Sequence, residues 1–177
     1  MLVVAATALE AECAVGAETF VCGVGPVEAA IAVAARLDGT RPDAVLHVGL
    51  AGVRGFTGIE LAIGSEAVYC DAVRPSLVPS RTLPDPTLLA ETRGVLPAAR
   101  VCPIGTSARV GGSSGCDVEA LEGFAVLRAC ELAGVPAVEV RAIVNDVDEP
   151  DRGRWQFDEG LDVLRGVVPL LVEALRA

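Results

Sequence analysis

Residues 118–145, VEALEGFAVLRACELAGVPAVEVRAIVN, constrain the fold more than any other segment of the chain. Apolar residues recur in the first half at the i, i+3, i+4, i+7 spacing of a helix. This spacing predicts a helix over Val118–Leu132 that ends at Gly134. The apolar run that follows predicts a strand over Pro136–Val144, which stops at Asn145. A helix that leads at once into an apolar strand is typical of an α/β protein.

The rest of the chain repeats this alternation of apolar strands and helices. The predicted strands are Leu2–Ala6, Thr19–Val24, Ala44–Val48, Leu61–Tyr69 and Arg100–Ile104. The predicted helices are Pro26–Leu37 and Phe157–Leu175, and the second contains Pro169, a residue type that kinks helices. Four prolines between positions 75 and 86 predict a loop. The alternation predicts one α/β domain over residues 1–177, with a largely parallel sheet covered by helices on both faces.

Composition and charge argue against several classes of function. The formal net charge is −10 and no basic stripe is visible, so nucleic acid and anionic membranes are not expected as partners. The N-terminus lacks a basic signal-peptide segment and no apolar run reaches the ~18 residues of a membrane span, so a cytoplasmic protein is expected. Six cysteines without CxxC spacing, together with one histidine, argue against a zinc site, and no metal or cofactor is expected. The cysteines are interpreted as small buried apolar residues; a secreted disulfide framework is the alternative.

Four unusual segments follow predicted strands. They are Thr7–Glu10, Gly23–Gly25, Gly49–Gly52 and Asn145. Because ligands bind at the carboxyl ends of parallel strands, these segments predict one site at that edge of the sheet. Each segment alone has another explanation: Glu10 as a solvated acid in a first helical turn, the two glycine segments as a turn and as tight packing, and Asn145 as a strand-end turn residue. Gly23–Gly25 does not extend to GxGxxG, because position 28 is Glu, which disfavours a dinucleotide site.

Glu122 is an unusual residue within the segment 118–145. The predicted helix places this carboxylate in its apolar stripe, and an unpartnered buried carboxylate costs several kcal/mol. Either a ligand satisfies Glu122, or an arginine such as Arg141 does. Glu139 and Arg141 share one face of the predicted strand, so an ion pair between them is expected as well.

Three blocks of the chain resemble the purine nucleoside phosphorylase and nucleosidase superfamily. They are GVGPVEAAIAVAARL at 23–37, HVGLAGVRG at 47–55, and the segment 119–145; residues 6–12 fit the family's N-terminal acidic loop. The resemblance implies a three-layer α/β/α nucleoside phosphorylase-like fold with a mixed, largely parallel central sheet. It also implies a homodimer or higher homo-oligomer. The fold is expected to be shortened, because only ten residues separate Glu12 from Gly23 where relatives fit a strand pair, and the segment 71–102 is reduced.

The same resemblance implies roles for the site residues. Glu122 would hold the ribose hydroxyls, and Glu10 would orient or deprotonate the attacking water. Backbone at Leu50, Ala51 and Gly52 would line the pocket. Leu121 would form an apolar wall, where the family usually has Met. Phe124 is a candidate for stacking on the substrate, and a core position is its alternative.

Asn145 and the tail DRGRW at 151–155 resemble the futalosine hydrolases within this superfamily. Adenine-directed nucleosidases usually carry Asp at the position of Asn145. An amide can donate to O6 and accept from N7–H of a 6-oxopurine, which favours hypoxanthine over adenine as the leaving base. Arg152 or Arg154 could pair with the benzoate of futalosine; an exposed charge cluster is the alternative.

The sequence therefore predicts an N-ribosyl hydrolase that acts on a 6-oxopurine nucleoside, with futalosine as the leading substrate. The absence of a matching arginine beside Gly23–Gly25, with Arg54 the nearest, favours hydrolysis over phosphorolysis. A methylthioadenosine/S-adenosylhomocysteine nucleosidase or a purine nucleoside phosphorylase is the first alternative. A non-catalytic nucleoside-binding relative is the second, because the chain is short.

Overall fold

A computed structural model describes residues 1–72, 76–111 and 115–176 of the chain. The strands are β1 (Leu2–Ala5), β2 (Glu18–Val21), β3 (Val45–Val53), β4 (Glu60–Tyr69), β5 (Arg81–Thr82), β6 (Arg100–Thr106), β7 (Val118–Ala120) and β8 (Ala137–Asp146). The α-helices are α1 (Ala8–Ala11), α2 (Pro26–Gly39), α3 (Pro86–Val95), α4 (Gly123–Ala133) and α5 (Phe157–Ala174). A single 3₁₀ turn covers Arg152–Arg154 before α5.

The strands form one mixed sheet that closes on itself at one end. Its order is β2-β1-β3-β7-β6-β4-β5, and β8 pairs with both β3 and β4. β3, β7, β6, β4 and β8 therefore form a closed ring, filled by small and branched apolar side chains such as Ile104, Val118 and Ile143. β1 pairs in parallel with β2 and β3, β3 with β8, and β6 with β4 and β7, whereas β7 on β3 and β4 on β5 and β8 are antiparallel. The prediction of a mixed, largely parallel sheet is confirmed.

Helices cover both faces of the sheet, as predicted. α2 and α4 pack together on one face, over a core that includes Leu2, Val33 and Val126. α1, α3 and α5 cover the other face, over a core that includes Leu46 and Leu164. α5 is the most clearly amphipathic of them and continues through Pro169. The result is the three-layer α/β/α arrangement expected from the alternation of strands and helices.

The predicted helix over Val118–Leu132 is wrong in its first five residues. Residues 118–120 form β7, which lies between β3 and β6, and α4 begins only at Gly123. Val118 and Ala120 enter the interior of the ring, so strand pairing prevails over the helical spacing of the sequence. Glu122 is therefore not part of a helical stripe but the residue immediately before the helix.

Other differences lie at the ends of elements and in one unassigned segment. β3 extends to Val53 and β8 to Asp146, so Gly49–Gly52 and Asn145 lie inside strands rather than after them. The proline-rich segment contains the short strand β5. α3 was not predicted, although Asp85 as a side-chain cap followed by Pro86 is a typical helix start.

Candidate active site

A cavity of about 570 Å³ opens beside the carboxyl ends of β1, β3 and β8. Its lining combines a mostly apolar wall with four acidic side chains, one amide and one arginine: Glu10, Glu119, Glu122, Asp158, Asn145 and Arg152. The predicted pocket residues Leu50, Ala51, Gly52 and Leu121 also line it. The structure thus brings together the strand-end segments that the sequence pointed to.

Glu10 is fixed by the short helix α1. Thr7 caps this helix, and the Glu10 carboxylate returns to the cap: Oε2 accepts from the Thr7 hydroxyl at 2.7 Å and from the Thr7 backbone N–H at 3.0 Å. Oε1 accepts from the backbone N–H of Leu50 in β3 at 3.0 Å. Glu10 does lie in a first helical turn, but it is buried, with 7% exposure, rather than solvated. Its carboxylate is held rigidly at the cavity wall.

Glu122 reaches the cavity because another residue caps α4. The Thr106 hydroxyl accepts from the Phe124 N–H at 2.8 Å at the start of the helix, and Glu122 makes no capping bond of its own. The Glu122 Oε1 instead accepts from the backbone N–H of Gly25 at 3.0 Å. Only 4% of Glu122 is exposed. One face of its carboxylate is thus satisfied by the protein, and the side chain also lines the cavity.

Behind the two carboxylates lies a group that we call the buried charge cluster: Glu10, His47, Glu122, Glu139 and Arg141. Arg141 is fully buried at its centre. Its Nε donates to Glu139 Oε1 at 2.7 Å, and its Nη1 lies 3.6 Å from Glu122 Oε2. Its Nη2 is hydrogen-bonded to His47 Nε2. The expected ion pair of Glu139 with Arg141 is confirmed. For Glu122, the alternative of an arginine partner describes its position, and the side chain also lines the cavity.

The hydrogen bonds of His47 determine its tautomer. Nε2 faces a guanidinium, which can only donate, and Nδ1 lies 3.0 Å from the carbonyl oxygen of Val4. The neutral ring therefore carries its proton on Nδ1 and accepts at Nε2. Burial, and then the positive charge of Arg141, lower the pKa of His47 well below its ordinary value. His47 is thus a neutral acceptor at physiological pH.

Burial also governs the ionisation of Glu122 and Arg141. Desolvation raises the pKa of Glu122, while Arg141 and the Gly25 N–H oppose that rise. For Arg141, burial would lower the pKa, but Glu139, Glu122 and Glu10 together outweigh it and raise the pKa above its ordinary value. The cluster therefore contains a permanent cation next to an acid that takes up a proton more readily than usual.

Two glycines of β3 make room for this site. A β-carbon at Gly49 would overlap Arg141 Nη1 and Glu10 Oε1, and one at Gly52 would lie 3.0 Å from Asn145 Nδ2. The glycine segment thus serves packing, one of its two predicted explanations, and the groups that it packs against are site residues. Asn145, with 6% exposure, donates from Nδ2 to the Asp146 carbonyl at 2.7 Å, so Oδ1 and the second Nδ2 hydrogen are left for other partners.

Comparison with known proteins fits this geometry. The futalosine hydrolase of Streptomyces coelicolor is 33% identical to the chain, over 92% of this chain and 81% of that relative. The chain belongs to the futalosine hydrolase family. No family model matches the sequence.

Solved structures of futalosine hydrolases and related nucleosidases share the fold. Futalosine hydrolase of Helicobacter pylori matches with a TM-score of 0.82 at 16% identity, over 99% of this chain and 96% of that chain. The 5′-methylthioadenosine/S-adenosylhomocysteine nucleosidase of Neisseria meningitidis, in complex with methylthio-immucillin-A, matches with a TM-score of 0.80 at 20% identity, over 99% and 97%. The predicted nucleosidase-like fold is confirmed.

Of the two arginines predicted as carboxylate contacts, Arg152 lines the cavity and Arg154 does not. The Arg152 guanidinium carbon is 5.5 Å from the centre of the Trp155 ring, and both side chains line the cavity. Arg154 is exposed and pairs with Glu149 at 3.2 Å. Of the two predicted carboxylate contacts, only Arg152 is in reach of a ligand in the cavity.

Phe124 is also absent from the described lining of the cavity. Its ring stacks on Tyr69, with 5.4 Å between centroids and 16° between planes, and packs against the core under α2 and α4. The core alternative for Phe124 therefore describes its position. The first turn of α4 places this ring against Tyr69, the last residue of β4.

Several lining residues were not identified from the sequence. Glu119 belongs to the three-residue strand β7, which the predicted helix covered. Trp155 lines the cavity together with Phe157 and Leu161 of α5. The i, i+4 spacing of Phe157 and Leu161 was a signal for an apolar helix face at the site.

Membrane spans, metal ligands and cysteines were also compared with the sequence-based expectations. No helix of the described part is long and apolar enough to cross a membrane. Within the same residues, no group of His, Cys, Asp and Glu side chains could hold a metal ion. Of the cysteines, Cys13, Cys22 and Cys130 are buried, and Cys70, Cys102 and Cys116 are partly buried.

Proposed function

We propose that this protein hydrolyses the N-ribosidic bond of futalosine, releasing hypoxanthine and dehypoxanthine futalosine for menaquinone biosynthesis in the cytoplasm. The observation that carries the proposal is the convergence of Glu10, Glu122 and Asn145 on one cavity. The 33% identity to a futalosine hydrolase supports the choice of substrate. The proposed reaction needs no metal or cofactor, because the groups it requires are carboxylates, an amide and water.

Glu122 is the proposed ligand of the ribose hydroxyls. A carboxylate with one face on the Gly25 N–H still has lone pairs for the two hydroxyls of the sugar. As the glycosidic bond breaks, the ribose becomes cationic and its hydroxyls become stronger donors. These bonds therefore strengthen in the transition state, which is where binding accelerates the reaction.

Glu10 is proposed to orient and deprotonate the attacking water. Its carboxylate is held by the Thr7 cap and the Leu50 N–H, so it loses little conformational freedom when it binds water. Arg141 pairs with the neighbouring carboxylate of Glu122 and does not line the cavity. The C1′–N9 bond breaks and its electron pair goes to the base, which takes up a proton at N7 from solvent water. The attacking water bonds to C1′ through its oxygen and gives one proton to Glu10.

Asn145 is proposed to recognise the leaving base. With one Nδ2 hydrogen on the Asp146 carbonyl, the second can reach O6 of hypoxanthine while Oδ1 accepts from N7–H. Adenine would present an amine to the same amide nitrogen, which leaves two donors facing each other. This mismatch favours a 6-oxopurine.

Water, rather than phosphate, is the proposed nucleophile. The Gly25 N–H, which could otherwise receive an anion at the start of α2, is occupied by Glu122. Arg152 is the one cation among the described lining residues, beside four acids. A phosphate monoanion or dianion would meet net repulsion there, whereas neutral water would not.

Arg152 is proposed to bind the carboxylate of the substrate. It lies on the Trp155 ring at the α5 end of the cavity, where an aromatic acid could stack on Trp155 and pair with the guanidinium. Arg154, directed toward Glu149, is a matched control on the same turn.

A homodimer is part of the same proposal. Leu9 and Val24 line the cavity yet are 58% and 55% exposed, and the nearby helix α2 exposes Val27 and Ile31, each at 65%. An exposed apolar surface beside a cavity is typical of a protein interface. Light scattering of the purified protein tests this: a monomer mass at micromolar concentration would contradict it.

One assay tests the function. Purified protein is incubated with futalosine, methylthioadenosine and inosine, with and without phosphate, and the free base is followed by chromatography. Hypoxanthine from futalosine without phosphate is expected. Adenine release would identify an adenine-directed nucleosidase, strict phosphate dependence a phosphorylase, and binding without base release a non-catalytic relative.

A further inference from the structure

Glu139 is a buried carboxylate that has no access to the cavity. Its exposure is 0%, its Oε1 accepts from Arg141 Nε at 2.7 Å, and its Oε2 has no hydrogen-bond partner among the described residues. Burial of a carboxylate is unfavourable unless the carboxylate pairs with a cation. Its place in β8, two residues before Arg141, makes it the anchor of that guanidinium.

The backbone is built to accommodate this anchor. A β-carbon at Gly123, the first residue of α4, would overlap the Glu139 carboxylate, and one at Gly64 in β4 would lie 3.4 Å from it. On the other side of the cluster, Gly49 leaves room for Arg141. Glycines from three different elements thus surround one ion pair, which indicates that its geometry is specified by the fold.

His47 holds the opposite end of the guanidinium. Its neutral ring accepts from Arg141 Nη2, and its Nδ1–H is anchored on the Val4 carbonyl in β1. Glu139 and His47 therefore fix Arg141 at Nε and Nη2. The remaining nitrogen, Nη1, is the one that lies toward Glu122, at 3.6 Å from its Oε2.

We propose that Glu139 and His47 are positioning residues: they hold Arg141 toward Glu122, and so fix the geometry of the carboxylate that faces the ribose of the nucleoside. This inference rests on the proposed nucleosidase function. Neither residue touches the substrate, so both act through Arg141.

The cluster has an electrostatic consequence that can be measured. Groups that face Glu122 are Arg141 and Glu139 from β8, Glu10 from α1, Cys22 after β2, Glu119 from β7 and, behind Arg141, His47 from β3. The negative charge of Glu139 contributes to the raised pKa of Glu122. Removing that charge lowers this pKa, both directly and by leaving Arg141 with fewer anionic partners.

The test compares Glu139→Gln with Glu131→Gln in the full chain, with futalosine as substrate. Glu131 is a surface carboxylate paired with Arg128 and is remote from the cavity, so the same chemical change there is a matched control. Expected for E139Q are a fall in kcat of about tenfold, a KM within about twofold of wild type, and an acid limb of the kcat/KM profile that moves to lower pH. E131Q should leave all three unchanged.

A second variant separates position from charge. His47→Leu removes the acceptor of Arg141 Nη2 and leaves every charge in place, so kcat should fall severalfold at unchanged KM. It also decides the matter by itself if E139Q does not fold. Unchanged kcat in the folded variants overturns the inference, and so does a fall in kcat for E139Q at an unmoved acid limb, which a purely structural role would produce. If wild-type protein releases no base from any nucleoside, the proposed function fails, and this inference fails with it.

Discussion

The two ends of the cavity are built in opposite ways. At the inner end, Glu10 and Glu122 are 7% and 4% exposed. Thr7 and the Leu50 N–H hold Glu10, and the Gly25 N–H and Arg141 hold Glu122. At the α5 end, Arg152 is exposed and its visible partner is the face of Trp155. A buried group whose hydrogen bonds are already made is preorganised, whereas an exposed arginine must be ordered by its ligand.

This difference assigns different work to the two ends. Changes at the inner end should reduce turnover of every nucleoside, because each substrate has the same ribose. Changes at the α5 end should affect only substrates that extend to it. Asn145 lines the same cavity and should control the base alone.

Glu122→Gln should reduce kcat by about a thousandfold for futalosine and inosine alike. The amide cannot strengthen its acceptance from the ribose hydroxyls as the sugar becomes cationic, and loss of one such transition-state contact typically costs 10²–10³. Steady-state kinetics with both substrates measure this, and circular dichroism checks the fold. Activity near that of wild type would remove Glu122 from the mechanism.

Asn145→Asp should change the preference for the base by about a hundredfold, because a carboxylic acid can protonate N7 of adenine and accept from its amine. The ratio of kcat/KM for methylthioadenosine to that for futalosine should rise. Gly52→Ala is a useful companion, since its β-carbon would press on the Asn145 amide. An unchanged ratio in N145D would show that another residue selects the base.

The inner end was easier to anticipate from the sequence than the α5 end. Glu10, Glu122 and Asn145 stand next to strands and glycines, so local patterns located them even though the bounds of β3, β8 and α4 were wrong. The pairing of β7 with β3 and β6 could not be read from residues 118–120, because three residues give no distinct period. It depends on partners distant in sequence.

The α5 end shows the complementary limit. Arg152 and Arg154 are equivalent in sequence, but the 3₁₀ turn over residues 152–154 directs one toward Trp155 and the other toward Glu149. Phe124 was a plausible stacking residue for the substrate, but in the structure its ring stacks on Tyr69 of β4. Contacts of this kind depend on tertiary geometry, which composition and spacing do not contain.

Folding stability should depend on His47 below pH 6.5. In the folded protein the pKa of His47 lies well below its ordinary value, so the ring stays neutral. Below about pH 6.5 the unfolded chain therefore binds a proton at His47 that the native state does not bind. Stability from this residue is present above about pH 6.5 and is lost as the pH falls. Between pH 7 and pH 5, wild type should lose up to about 2 kcal/mol more unfolding free energy than His47→Gln. Urea denaturation at both pH values measures the difference. Equal losses in wild type and in His47→Gln would mean that folding does not lower the pKa of His47.

Arg152→Ala should have the smallest effect and the most selective one. An exposed guanidinium gains a single carboxylate partner and must be ordered to do so, which limits its contribution to about 1 kcal/mol, or about a fivefold rise in KM for futalosine. Inosine, which has no carboxylate beyond its ribose, should be unaffected, and Arg154→Ala should change neither substrate. Equal effects of R152A on both substrates would mean that Arg152 supports the fold of the cavity rather than the ligand. The α5 end would then have no role in selectivity, and the contrast with the inner end would reduce to exposure alone.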